Sequence, residues 1–120
     1  MPPTAFAATY RVVIKDGIHA RVRPACDVSN AAGGKVVFKN NTDFDVKVYL
    51  PGMVFSTGNA SDNTLKKKPF KVTVGADSEE PVFISTHGDA QKGLFSYKVW
   101  CEQTNSFAEG NSDPEFIIEN

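Results

Sequence analysis

Cys101 closes the run Gly93-Leu94-Phe95-Ser96-Tyr97-Lys98-Val99-Trp100-Cys101. A thiolate delivered at the end of an extended strand is a ligand for a soft metal. One sulfur needs nitrogen partners, and the chain beyond it supplies no histidine: none follows His87, and no methionine follows Met53. His87 sits in the turn before the strand, and at ~3.3 Å per residue the strand separates it from the cysteine by roughly 25 Å. His19, on an early strand whose height the sequence does not fix, reads as an exposed strand histidine, with a copper contact as the alternative. Cys26 is the other cysteine. Two cysteines make no disulfide framework, so the pair fits either a single bridge or two buried thiols acting as small hydrophobes.

Other groupings offer weaker chemistry. Ser85-Thr86-His87-Gly88-Asp89 holds the residue types of a nucleophilic triad within one turn. Triads are assembled from distant segments whose groups point at one another, and no Gly-x-Ser-x-Gly elbow accompanies this one. It reads as a polar turn, and no catalytic residue is expected. Asn59-Ala60-Ser61-Asp62-Asn63 and Glu109-Gly110-Asn111-Ser112-Asp113 are rich in oxygen ligands. Neither has the alternating spacing of an EF-hand. If the two segments meet at one pole, calcium or a sugar would find oxygens there; otherwise they are ordinary turn composition. Asn40-Asn41-Thr42 and Asn59-Ala60-Ser61 are glycosylation sequons, meaningful only in a eukaryotic secretory route. Lys66-Lys67-Lys68 reads as solvated loop residues guarding the strand that follows.

Recognition is the remaining option. Trp100 alternates with Val99 and Cys101 and so points outward, where it either covers a neighbouring loop or anchors a partner. Phe55 and Phe107 lie in loops, and three aromatics gathered at one pole would form an apolar patch. With Asn59, Asp62 and Thr104 they are the expected partner-binding residues.

Composition narrows the classes. The chain has 120 residues, fitting a single domain spanning 1–120, with 1–8 as a flexible N-terminal arm. Lys and Arg number 13 against 14 Asp and Glu, a net charge of -1, which leaves no electrostatic footprint for nucleic acid or an anionic membrane. No apolar run reaches the ~20 residues of a membrane span. The first nine residues lack the basic and apolar regions of a signal peptide.

The elements that must position these residues are strands. Val46, Val48 and Leu50 alternate with Asp45, Lys47 and Tyr49, the period of a half-buried antiparallel strand. The same pattern recurs at Tyr10–Lys15, Lys35–Lys39, Phe70–Val74, Leu94–Cys101 and Glu115–Glu119, with further strands expected at Ile18–Arg23 and Val82–Ser85. Pro51–Pro69 is the longest irregular stretch, and long loops are often functional. Seven to eight short strands with turn signals between them predict an all-β, two-sheet Greek-key sandwich.

Gly34-Lys35-Val36-Val37-Phe38-Lys39-Asn40-Asn41-Thr42-Asp43-Phe44 resembles a plastocyanin-type segment of the cupredoxins, in which a strand and an Asn-rich turn precede the first copper histidine. Pro24, Tyr97-Lys98-Val99-Trp100-Cys101 and Phe116-Ile117-Ile118 resemble that family's proline, tyrosine-to-cysteine strand and closing strand. The resemblance spans most of Tyr10 to Asn120. It implies a copper site of two histidines, a cysteine and usually a methionine. In this chain the first histidine position falls at or near Val46, the second among Gln103, Thr104 and Asn105, and the methionine near Phe107 or Ala108. Only the cysteine matches. The expectation is therefore a cupredoxin-like module with no cofactor and no enzyme chemistry, which binds a protein or associates with itself through its long loops. The alternatives are a copper-binding electron-transfer protein with atypical ligands and a calcium-dependent carbohydrate-binding protein. The resemblance also implies an exported protein, and the cellular address stays open.

Overall fold

The computed structural model describes residues 9–15, 21–23, 28–31, 34–102, 105–107 and 115–119. Eleven strands lie among them: β1 (Thr9–Lys15), β2 (Arg21–Arg23), β3 (Val28–Ala31), β4 (Lys35–Asn40), β5 (Val46–Leu50), β6 (Phe70–Val74), β7 (Glu79–Phe83), β8 (Gly93–Ser96), β9 (Lys98–Cys101), β10 (Ser106–Phe107) and β11 (Glu115–Glu119). The first layer runs β2-β1-β4-β7, with β1 parallel to β4 and the other neighbours antiparallel. The second layer is built from two ladders, β3-β11-β8 and β10-β9-β5-β6. They join because β8 and β9 are halves of one run, Gly93–Cys101, interrupted only at Tyr97. The result is the all-β, two-sheet sandwich that the strand pattern predicts. No described helix is long and apolar enough to cross a membrane.

Alternation decides which side chains enter the core. Val46, Val48 and Leu50 are buried, Lys47 is half-buried between them, and Tyr49 faces solvent. Tyr97, Val99 and Cys101 are buried on the same face of the long strand. Ile14, Val36, Phe38 and Val82 close the core from the first layer. Phe38 meets Tyr97 edge to face across the sandwich, with ring centroids 5.5 Å apart, a favoured aromatic geometry. Val37 is also buried, on the face opposite Val36 and Phe38, where the alternation predicts exposure.

Three elements depart from the sequence expectation. The strand expected at Val82–Ser85 begins earlier, at Glu79, and contains Pro81. Proline, which has no N–H to give, is tolerated here because β7 is the edge of its sheet. β3 lies where no strand was expected; its only described neighbour is β11, from the far end of the chain, paired in parallel. β10 adds two residues beside β9. The Asp16-Gly17 turn, His19, Pro24, Cys26, the arm 1–8 and the segment Ala108–Pro114 lie outside the described residues.

Candidate functional site

Cys101 pairs directly with Val46 across the β5–β9 ladder, and both are fully buried at 0% exposure. Residues opposite one another in such a ladder hold their Cβ atoms about 4.5–5.5 Å apart. The side chain beside the sulfur is thus an isopropyl group, which offers no electron pair. Cys101 and Val46 do not fit a copper centre, and no group of three or more His, Cys, Asp or Glu able to hold a metal occurs among the described residues. Gln103 and Thr104 lie outside the described residues, as does His19.

This end of the sandwich is pinned by a buried asparagine. The Asn40 Nδ2 amide donates to the carbonyls of Phe44 (2.8 Å), Val74 (3.0 Å) and Gly75 (3.1 Å). Its Oδ1 accepts from the Thr42 backbone N–H (3.0 Å) and the Thr42 hydroxyl (2.6 Å). Both residues are completely buried. Asn40 thereby ties the end of β4 to β6 in the other layer and shapes the turn leading into Val46. The sequence showed only a polar turn and a sequon here. In the fold the sequon asparagine is inaccessible and its amide is occupied.

The long loop 51–69 is not a loose binding loop. Met53 N–H donates to Lys66 O (2.7 Å) and Lys66 N–H to Phe55 O (2.8 Å), closing the segment on itself. Gly52 permits this approach: a Cβ there would lie 2.5 Å from Lys67 O. Ser56 N–H then donates to Phe83 O and Ser85 N–H to Val54 O, fastening the loop to the end of β7. Phe55 accordingly lies in the core at 1% exposure, edge to face with Phe70 at 5.9 Å. Its expected place in a surface aromatic patch is corrected: the loop folds inward and carries the ring with it. Asn59 is exposed at the loop tip. Asp62 is half-buried, and its Oδ1 accepts from the Thr64 N–H (2.9 Å) and the Thr64 hydroxyl. These bonds, the hydroxyl's first, hold its carboxyl below the usual aspartate value. That oxygen is already engaged in an Asx-type turn.

The Ser85-His87-Asp89 turn is likewise organised locally. Ser85 Oγ is buried and donates to the carbonyls of Thr64 and Asp62, the latter at 3.3 Å. His87 Nδ1 accepts from the Asp89 backbone N–H at 2.9 Å. The serine is aimed into the loop, and the described hydrogen bonds link His87 to Asp89 and to the serine only through its own backbone N–H.

The second layer presents a different surface on its outer face. In register, Phe107 lies beside Trp100, Trp100 beside Lys47 and Lys47 beside Thr73; the next row runs Lys98, Tyr49, Lys71. Phe107 (46% exposed) stands edge to face with Trp100 at 4.9 Å and with Tyr49 (41% exposed) at 6.4 Å. The Lys98 ammonium lies 5.4 Å from the Phe107 ring centroid, within cation–π range. Lys47 and Glu102 pair at 2.7 Å beside Trp100, and the Glu102 hydrogen bond raises the lysine above its usual value. Of the six expected partner-binding residues, only Trp100 and Phe107 come together here. Phe55 is elsewhere in the core, Asn59 and Asp62 belong to the loop, and Thr104 lies outside the described residues. Tyr49 and Lys98 were missed. Their outward direction was readable from alternation, but the register that places them against Phe107 was not.

No family model and no curated protein matches this sequence. Solved structures do match. A copper(I) form of an amicyanin variant superposes with a TM-score of 0.54 and 11% identity, over 92% of this chain and 82% of that one. The fold is that of the cupredoxins. A variant of the multicopper oxidase McoA from Aquifex aeolicus aligns at TM-score 0.54 and 11% identity, over 95% of this chain but only 30% of the oxidase. A multicopper oxidase from Campylobacter jejuni aligns at TM-score 0.54 and 12% identity, over 98% and 30%. At these identities the likeness concerns architecture, and the chain corresponds to one domain's worth of either oxidase.

Proposed function

We propose that this chain is a non-catalytic binding or assembly module, a cupredoxin scaffold without a type-1 copper centre, which recognises a protein partner through the outer face of β5, β9 and β10. The observation that carries the reading is the in-register pair Val46–Cys101. Where the resemblance calls for a histidine, this chain packs a valine, and the cysteine beside it is sealed in the core. The accessible surface on the outer face of this part of the sandwich includes the rings of Trp100, Phe107 and Tyr49. Trp and Tyr dominate binding hot spots because they bury a large area with few rotatable bonds. The rings of Trp100, Phe107 and Tyr49 meet at 78° and 69°, so they form a notched surface rather than a flat platform for a sugar ring. Lys98 and the Lys47–Glu102 pair give this surface a charged rim, the usual anatomy of a protein interface.

Sedimentation equilibrium tests the assembly form of the reading. A discrete oligomer that dissociates when Trp100→Ala and Phe107→Ala are introduced together supports it. A chain that stays monomeric at the highest soluble concentration, or an oligomer unaffected by the double substitution, counts against it.

A further inference from the structure

The two layers of the sandwich each end in an edge strand on the same side, and the two edges are treated differently. β7 has β4 on one flank and no described strand on the other, but Pro81 removes a donor from its middle. Its far end is occupied by the loop, through Ser56 N–H to Phe83 O and the Phe55–Ile84 bridge. β6 has β5 on one flank and no described strand on the other, and it contains no proline. A cleft of about 380 Å³ opens between these edges, floored by Phe70, Val72 and Phe83, with Lys66, Lys71 and Glu80 at its margins. A hollow of about 260 Å³ adjoins it, sharing Phe70 and Lys71.

The charge beside this edge is not compensated by ion pairs among the described residues. Lys67, Lys68 and Lys71 are exposed, and Lys66 lies over the Phe70 ring at 4.5 Å. None of the four forms an ion pair with a described residue. Among the described residues, Glu80 is the only carboxylate lining the cleft. Four cations around one open strand oppose pairing between two copies of this chain, because each copy would bring the same charges to the seam. The same field favours a strand of opposite sign.

We propose that the β6 edge is a strand-addition site for an extended acidic peptide segment with alternating apolar residues. The segment hydrogen-bonds along the accessible part of β6, residues 70–73, a span of about 13 Å for four extended residues; Val74 is fully buried and its carbonyl already accepts from Asn40. Its apolar side chains seat on Phe70 and Val72, and its carboxylates meet Lys67, Lys68 and Lys71. The site borders the outer aromatic face, since Lys71 lies beside Tyr49, but it uses neither Trp100 nor Phe107.

The probe is a fluorescein-labelled, end-blocked peptide of alternating glutamate and valine, followed by anisotropy and by amide resonances of the full chain. Binding is expected to slow hydrogen exchange of amides in residues 70–73 and to weaken with salt. Lys67→Glu, Lys68→Glu and Lys71→Glu together should weaken it by about tenfold or more. Far-UV circular dichroism confirms that this variant folds, since the three lysines are exposed. Trp100→Ala with Phe107→Ala should leave the affinity unchanged, which separates this site from the proposed aromatic interface. The proposal is overturned by equal binding of a lysine–valine peptide or of a peptide with central prolines. Amide changes confined to β9 and β10, no binding at all, or dimerisation of the peptide-free chain through β6 overturn it equally.

Discussion

Replacing Asn40 by alanine should be among the most costly single substitutions at the end of the sandwich where Val46 and Cys101 meet, and the size of the loss can be worked out bond by bond. The carboxamide has two hydrogens and three carbonyls within 3.1 Å, and its oxygen serves both donors of Thr42, the N–H and the hydroxyl. Some partners have substitutes. The Thr42 hydroxyl already reaches Phe44 O at 2.9 Å, so it can turn to that carbonyl and satisfy both. Gly75 O also accepts from Ser78 N–H at 3.1 Å. The uncompensated losses are the buried Thr42 N–H and the cross-layer bond to Val74 O. At about 1–3 kcal/mol for each buried group deprived of its partner, the expected loss is about 3–4 kcal/mol. A domain of this size has about 5–15 kcal/mol in all, so the variant should fold but unfold at much lower urea. Urea titrations followed by circular dichroism and by Trp100 fluorescence give the difference, and agreement of the two probes supports a two-state treatment. Asn40→Asp keeps an acceptor but places negative charge among three carbonyl oxygens, and should cost more than alanine at neutral pH. A loss below about 1 kcal/mol for Asn40→Ala would refute the reasoning, because two buried groups cannot lose their partners so cheaply.

Two further outcomes follow from the placement of the aromatics and of Asp62. Phe55→Ala should destabilise by about 3–5 kcal/mol as a core truncation, whereas Phe107→Ala, on the half-exposed outer face, should cost about 1 kcal/mol; chemical denaturation of the two variants checks the contrast. Thr64→Val removes the hydroxyl that donates to Asp62 and should raise the Asp62 pKa toward its ordinary value, as read from the carboxyl carbon resonance against pH. Because the folded pKa is depressed, the stabilisation it reports is present above the unfolded aspartate value and is lost as pH falls through the folded one. The variant should therefore show a weaker acid dependence of stability than the parent chain.

Much of the sandwich was legible because alternation is a local property. The period of two in Val46–Leu50 and in Phe95–Cys101 marked inward faces that the fold uses, and the same period set Trp100 outward. The resemblance in 34–44 and 97–101 placed Val46 near the cysteine, and the ladder puts them opposite one another. What escaped depends on partners remote in sequence. Phe55 sits in a polar, glycine-rich stretch that reads as a surface loop, and only the carbonyl of Phe83 and the strand around Ile84 turn it inward. Asn40 has the composition of a turn residue; its burial follows from carbonyls of Val74 and Gly75 on another strand. The strand expected at Val82–Ser85 starts at Glu79 and includes Pro81, which is acceptable because β7 has no described strand on its outer flank. The pairing of β3 with β11 joins segments at opposite ends of the chain, which no local pattern encodes.

We propose that a cupredoxin scaffold here carries a sealed cysteine in place of a type-1 copper centre. Titration of the full, reduced chain with copper(II) under anaerobic conditions tests it most directly, read in the visible spectrum where thiolate-to-copper charge transfer absorbs. The expected result is no intense visible band at any ratio of metal to protein. An intense, saturable band at one copper per chain, abolished by Cys101→Ala in a variant that remains folded, would contradict the account.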